Sequence, residues 1–128
     1  MIFAEKSTTN MHSPINFEPV VANISQVVIV LDRDLQIVWA NAKAVDAAGG
    51  RDPGGQKCYK IYQDRESPCP GCHTLKTFDT GEMIPNQSTV TYEDGSCRYF
   101  DGFTVVVGRD DQGDVSLVAE VAGEVPKL

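Results

Sequence analysis

The sequence predicts an α+β domain: a five-stranded antiparallel sheet, with short helices inserted between strands two and three and packed on one face. Three observations carry this. Two short β-rich runs, 27–31 and 35–40, flank the turn Asp32-Arg33-Asp34 near the N-terminus. Three longer β-rich runs close the chain, separated by Glu93-Asp94-Gly95-Ser96 and by the RDDQG turn at 109–113. The stretch between the two groups is punctuated by Asn, Gly and Pro in the manner of short helices.

The elements follow in order. Residues 1–15 are polar and mixed and read as a flexible arm. Asn16 is placed to cap a short helix over 17–24, with Pro19 tolerated in its first turn. The β-branched run 27–31 reads as a buried strand, and 35–40 alternates Leu35, Ile37 and Trp39 against Gln36, Val38 and Ala40. Asn41 caps an alanine-rich helix over 42–48, which Gly49-Gly50 ends. One or two helical turns are expected over 57–62. A loop with Pro68 and Pro70 leads to a helix over 73–80 that stops at Gly81, with Pro70 suited to its first turn. Strands are expected over 86–92, 97–107 and 115–121.

At 128 residues the chain has the length of one domain, and 41% hydrophobic residues suffice for one core. The net charge is -7 and the Lys and Arg residues are scattered, which argues against a phosphate-binding surface and hence a nucleic-acid partner. The longest apolar run, 27–31, falls far short of the ~20 residues of a membrane helix. Residues 1–10 lack the basic flank and apolar stretch of a signal peptide. A cytoplasmic protein with no membrane insertion by this chain is the expectation.

With these elements laid out, the chain resembles the PAS superfamily of sensory domains. The resemblance rests on VVIVLDRDLQIVWANAKA at 27–44, GGQKCYKIYQDRESPCPGC at 54–72 and YEDGSCRYFDGFTVVVGRDDQGDVSLVAEV at 92–121. The middle segment resembles a subgroup with a C-Y…P-C-P-x-C signature. Two departures stand out: Asp34 occupies a turn position where the family often has glycine, and no Asp-Ile-Thr tripeptide follows the last strand. The resemblance implies a PAS domain over 16–122, with 123–128 the start of an output linker or tail. It implies a homodimer formed through the N-terminal helix and the sheet, and an output partner such as a histidine kinase of a two-component system, in cis or in trans.

The four cysteines, Cys58, Cys69, Cys72 and Cys97, are spaced C-x10-C-x2-C-x24-C. A C-x2-C pair at a loop-to-helix junction has the bite for one tetrahedral metal, and two more thiols complete a four-thiolate set for zinc or an iron–sulfur cluster. His73 is a fallback fourth ligand. Cys72 also stands at a helix N-terminus, where the dipole favours thiolate. A disulfide stapling the loop, or simple packing of small apolar side chains, explains the same residues.

A pocket between the sheet and its helices is the expected small-molecule site, with Trp39, Tyr59, Tyr62, Phe78, Phe100 and Phe103 as candidate lining residues and Tyr99 beside them. Core packing accounts for each of them equally. Haem is disfavoured because only His73 is available in the folded region, and flavin because the flavin motif of light-sensing relatives is not found. There is no phosphate loop, no Ser-His-Asp order and no paired carboxylates in an apolar setting, so no enzyme is expected. The expected function is signal transduction: sensing a small ligand, redox state or metal and changing partner or dimer contacts. The alternatives are a thiol–disulfide redox protein using Cys69 and Cys72, or a ligand-free dimerisation module.

Overall fold

A computed structural model describes residues 14–127. The arm read over 1–15 therefore lies outside the described residues, apart from Pro14 and Ile15, which form no helix or strand. Leu128 also lies outside them. The elements are α1 (Glu18–Asn23), β1 (Val27–Leu31), β2 (Ile37–Ala40), α2 (Ala42–Ala47), α3 (Cys58–Gln63), α4 (His73–Thr80), β3 (Ile84–Thr91), β4 (Cys97–Arg109) and β5 (Val115–Val125). The strands form one antiparallel sheet in the order β2-β1-β5-β4-β3. The last strand lies in the middle, so β5 joins the opening hairpin to the closing strands. No helix among the described residues is long and apolar enough to cross a membrane.

The core lies between the inner sheet face and the helices. Val27, Ile29 and Leu31 of β1, Phe100 of β4 and Ala122 of β5 pack against Ala44, Ala47, Ile61 and Tyr62. A second cluster joins Phe78 of α4 to Val115 and Val118. A 2.7 Å hydrogen bond between the hydroxyls of Thr77 and Thr104, both buried, fixes α4 against β4. The sheet is tightest at Gly102, where a β-carbon would stand 1.8 Å from the Val121 carbonyl oxygen.

The opening hairpin differs from the alternation read in the sequence. The Asp32 carboxylate accepts from the backbone N–H groups of Asp34 and Gln36 at 3.0 and 2.9 Å, which lengthens the turn. Leu35 leaves the strand for the left-handed region (φ 63°), and its side chain is buried. The conformation glycine adopts most readily thus falls one residue after Asp34, where core burial of a leucine offsets the strain. A bulge then interrupts β1–β2 pairing: Leu31 pairs with Ile37, but Val30 pairs with Trp39. The extra residue, Val38, turns Trp39 to the outer face while Ile37 stays inside.

Other boundaries move by a few residues. Phe17 rather than Asn16 is the α1 N-cap, although the Asn16 side chain still accepts from Glu18 N–H at 3.0 Å. Pro70 lies in the turn before α4, whose N-cap is Cys72 and whose end is Gly81 (φ 75°). The β5 strand continues past 122, with Gly123, Glu124 and Val125 paired to Asp101, Phe100 and Tyr99. Arg98 fastens this extension: its Nη2 lies 2.7 Å from both Glu124 and Asp46, and Lys43 reaches the same two carboxylates at 3.2 and 3.3 Å. The hydrogen bond from Arg98, followed by that from Lys43, holds the Asp46 carboxyl below its ordinary range. For Glu124 the Arg98 bond is again the largest cause of a lowered value.

Asn41 caps α2 as read, and also does more. Its Oδ1 accepts from Ala44 N–H at 3.0 Å and from Val28 N–H at 3.1 Å. Its Nδ2 donates to the carbonyls of Val21 and Gln26 at 3.0 and 2.8 Å. One buried side chain therefore ties α1, β1 and α2 together. Asn41→Ala leaves these backbone groups without partners and should cost roughly 2–4 kcal/mol in urea unfolding. Asn41→Asp keeps the cap but sets a carboxylate against two carbonyls, and should not restore stability. A loss below about 1 kcal/mol for the alanine variant would refute this role for the side chain.

Candidate functional site: the inner cavity and Glu120

Period-two alternation along β5 sends Val118, Glu120 and Ala122 toward the helices and Ala119 and Val121 to the other face. Beside Glu120 the core leaves a cavity of about 80 Å³. Its walls are Val27 and Ile29 of β1, Ala47 of α2, Cys58, Tyr62 and Gln63 of α3, Ser88 and Val90 of β3, Phe100 of β4, and Glu120 and Ala122 of β5. A wider polar groove between α3 and the β3–β4 hairpin shares Tyr62, Gln63 and Val90 with it. These three residues form the partition between the cavity and the outside.

Among the described residues, Glu120 is the one charged side chain in the cavity wall. Thr74 of α4 and Asn86 of β3 donate to its Oε2 at 3.4 and 3.3 Å. Among the described residues nothing hydrogen-bonds to Oε1, and no basic side chain pairs with the carboxylate. Burial raises the carboxyl's pKa above its ordinary 4.5, with the Thr74 bond pulling the other way. The residue as a whole is only half-buried. Tyr62 donates to the Ala44 carbonyl at 2.8 Å, and burial raises its phenol as well.

Three of the four cysteines gather near this carboxylate. Burial pushes the Cys58 thiol well up, and the proximity of Glu120, then of Cys72 and Cys69, adds to the effect. Burial, then Cys72, raises Cys69, against an opposing pull from Arg65. Cys72 is the α4 N-cap, but its side chain makes no capping bond. Cys97 stands apart, exposed at the start of β4, with its Sγ 3.4 Å from the Thr91 hydroxyl.

The four-thiolate set expected from the spacing is thus not assembled. The start of α4 meets the sheet at Thr104, whose hydroxyl lies 3.4 Å from the His73 carbonyl. Cys97 is seven residues earlier on the same strand, about 23 Å away at the strand rise. Among the described residues no group of three or more His, Cys, Asp or Glu side chains is placed to hold a metal ion. All four cysteines are free thiols.

Of the aromatic residues singled out, Tyr62 and Phe100 border the cavity. Tyr59 packs at the edge of the main core and Phe78 lies in the second cluster. Trp39 and Phe103 lie on the opposite sheet face, Trp39 because of the bulge and Phe103 because it alternates with inward-facing Phe100. They line an apolar groove with Val28, Val30, Val105 and Val121, bordered by Val21 and Ile24 near α1. Tyr99 alternates with Phe100 in the same way. Sequence reasoning missed Glu120 and its partners Thr74 and Asn86. Its signal was a lone acid in the apolar run 115–122, in phase with Val118 and Ala122.

No protein-family model matches the chain, and no curated protein matches it in sequence. Solved structures match it in fold. The PAS domain of nitrogen regulation protein NR(II) from Vibrio parahaemolyticus has a TM-score of 0.65 at 14% identity, over 84% of this chain and 95% of that one. An RNA-binding Light-Oxygen-Voltage receptor gives 0.68 at 19% identity, over 95% of this chain and 37% of that one. VqmA bound to DPO gives 0.64 at 16% identity over 84% of this chain, and this chain spans 56% of its length. For the Vibrio cholerae VqmA dimer the TM-score is 0.64 at 16% identity over 88% of this chain, which spans 52% of that one. The fold is the PAS fold: an α+β, five-stranded antiparallel sheet with short helices held against one face.

A carboxyl whose pKa is raised on folding keeps its proton in the native state after the unfolded chain has lost it. Glu120 therefore lowers stability as pH rises from about 4.5 through its raised native value. Glu120→Gln removes this effect, so the variant should melt above wild type at about pH 8 and lose the advantage toward about pH 4. A melting difference independent of pH would count against a strained carboxylate. Thiol labelling of the native protein should modify Cys97 first and Cys58 last; comparable rates at the two would mean the cavity wall opens freely.

Proposed function

We propose that this domain is a sensory PAS module that detects a small ligand in the Glu120 cavity and relays occupancy to the outer face of its sheet. One observation carries the reading: β5 borders both places, with Glu120 and Ala122 on the cavity and Ala119 and Val121 on the apolar outer groove. A ligand that shifts the β5 backbone on one side moves the other side with it. The outer groove suits a second copy of the chain, since α1 and its approach expose Ile15, Phe17 and Val20 nearby. A homodimer is in keeping with VqmA from Vibrio cholerae, which is described as a dimer. Output to a partner such as a histidine kinase follows from the same relay.

The size of the cavity limits the ligand. About 80 Å³ lies well below the roughly 300–1,000 Å³ of drug-sized ligand sites, so it fits a few non-hydrogen atoms and neither a flavin nor a haem ring. The thiol–disulfide alternative has less support. Burial raises the Cys69 thiol, whereas redox pairs work through a lowered one.

The test uses amide-resolved NMR with three probes of four or five non-hydrogen atoms: 1-propanol, propylammonium chloride and sodium propionate. At least one probe should give saturable shifts at Val90, Phe100 and Glu120, together with shifts at Phe103 and Val105 on the outer face. Ala122→Val, which fills the cavity, should abolish both sets. Absence of saturable shifts with all three probes would overturn the sensing proposal, as would inner-face shifts with a silent outer face.

A further inference from the structure

We infer that the ligand class this cavity selects is a small protonated amine, held by Glu120; the inference rests on the proposed ligand-sensing role of the site.

The argument begins with what the carboxylate lacks. A buried carboxylate is costly unless it is paired or well hydrogen-bonded. Glu120 has two long hydrogen bonds, both to one oxygen, and no ion pair among the described residues. Burial and then Glu120 raise the Cys58 thiol, as a neighbouring carboxylate does, and no basic side chain contributes at Glu120 or Cys58. The site therefore offers the Glu120 carboxylate with space beside it, and among the described residues no cation pairs with it.

The rest of the wall suits an alkylammonium ion. Tyr62 and Phe100 offer aromatic surface to a cation or its alkyl stem. Val27, Ile29, Val90 and Ala122 suit a short alkyl chain. Ser88 and the Gln63 side-chain carbonyl are acceptors for further N–H donors. An anionic ligand meets like charge at Glu120, and a neutral alcohol leaves the carboxylate unbalanced.

Binding forms a charge-assisted N–H···O bond to Glu120 in a largely apolar cavity, where such bonds are stronger than in water. At about pH 8 an alkylammonium ion remains protonated, by analogy with the lysine side chain. Wild-type protein should then bind propylammonium at least about tenfold more tightly than 1-propanol, with propionate weakest, by NMR titration at constant ionic strength. Glu120→Gln should reduce the preference for propylammonium over 1-propanol to within about threefold. Equal or tighter binding of 1-propanol or propionate by wild type would overturn the amine assignment while leaving the ligand-sensing role intact. Failure of every probe to bind would overturn both. An unchanged preference in Glu120→Gln would overturn the role of the carboxylate, and the wild-type ranking decides the amine assignment even if that variant fails to fold.

Discussion

The carboxamide of Asn41 is the joint on which this fold turns. It satisfies backbone groups from three elements at once, and no other residue type has two donors and an acceptor at that reach. Because β1 pairs directly with β5, the position of β1 sets the position of the strand that carries Glu120. A side chain thirteen residues from Val28 in sequence thereby fixes one wall of the cavity. The same joint settles where α2 begins, and α2 supplies Ala47 to that cavity.

The second constraint is β5 itself. A central strand has a neighbour on each side; its inner face packs under the helices and its outer face lines the apolar groove, which explains its near-continuous apolar character. A carboxylate on the inner face of such a strand faces the cavity. Thr74 and Asn86 reach it from α4 and β3, two elements adjacent in sequence that fold back to the same spot. The site is thus a product of the whole topology and not of any one segment.

That dependence explains which features could be read from the chain. Asn41, the Gly95 and Gly113 turns, and the helix from His73 to its Gly81 stop are local, and local preferences reveal them. The five strands follow from composition and turn spacing in the same way. What was hidden depends on pairing. Nothing local announces the bulge at Val38, and it alone sends Trp39 outward. The cysteine spacing suggests four ligands, but the length of β4 separates Cys97 from the rest. Glu120 was legible in principle, since strand phase puts it with Val118 and Ala122, but its chemical setting comes from residues far away in sequence.

The outward turn at Trp39 also decides what can be seen optically. The chain has a single tryptophan, and it sits on the face away from the cavity. Emission from that indole is blind to direct contact with anything beside Glu120. Between them stand β1, which pairs with Trp39 through Val30, and β5, which pairs with β1. Any change in tryptophan fluorescence when the cavity fills is therefore a reading of an effect carried across the sheet, in the backbone or in what occupies the outer groove. The protein carries a built-in optical gauge for transmission, separate from occupancy.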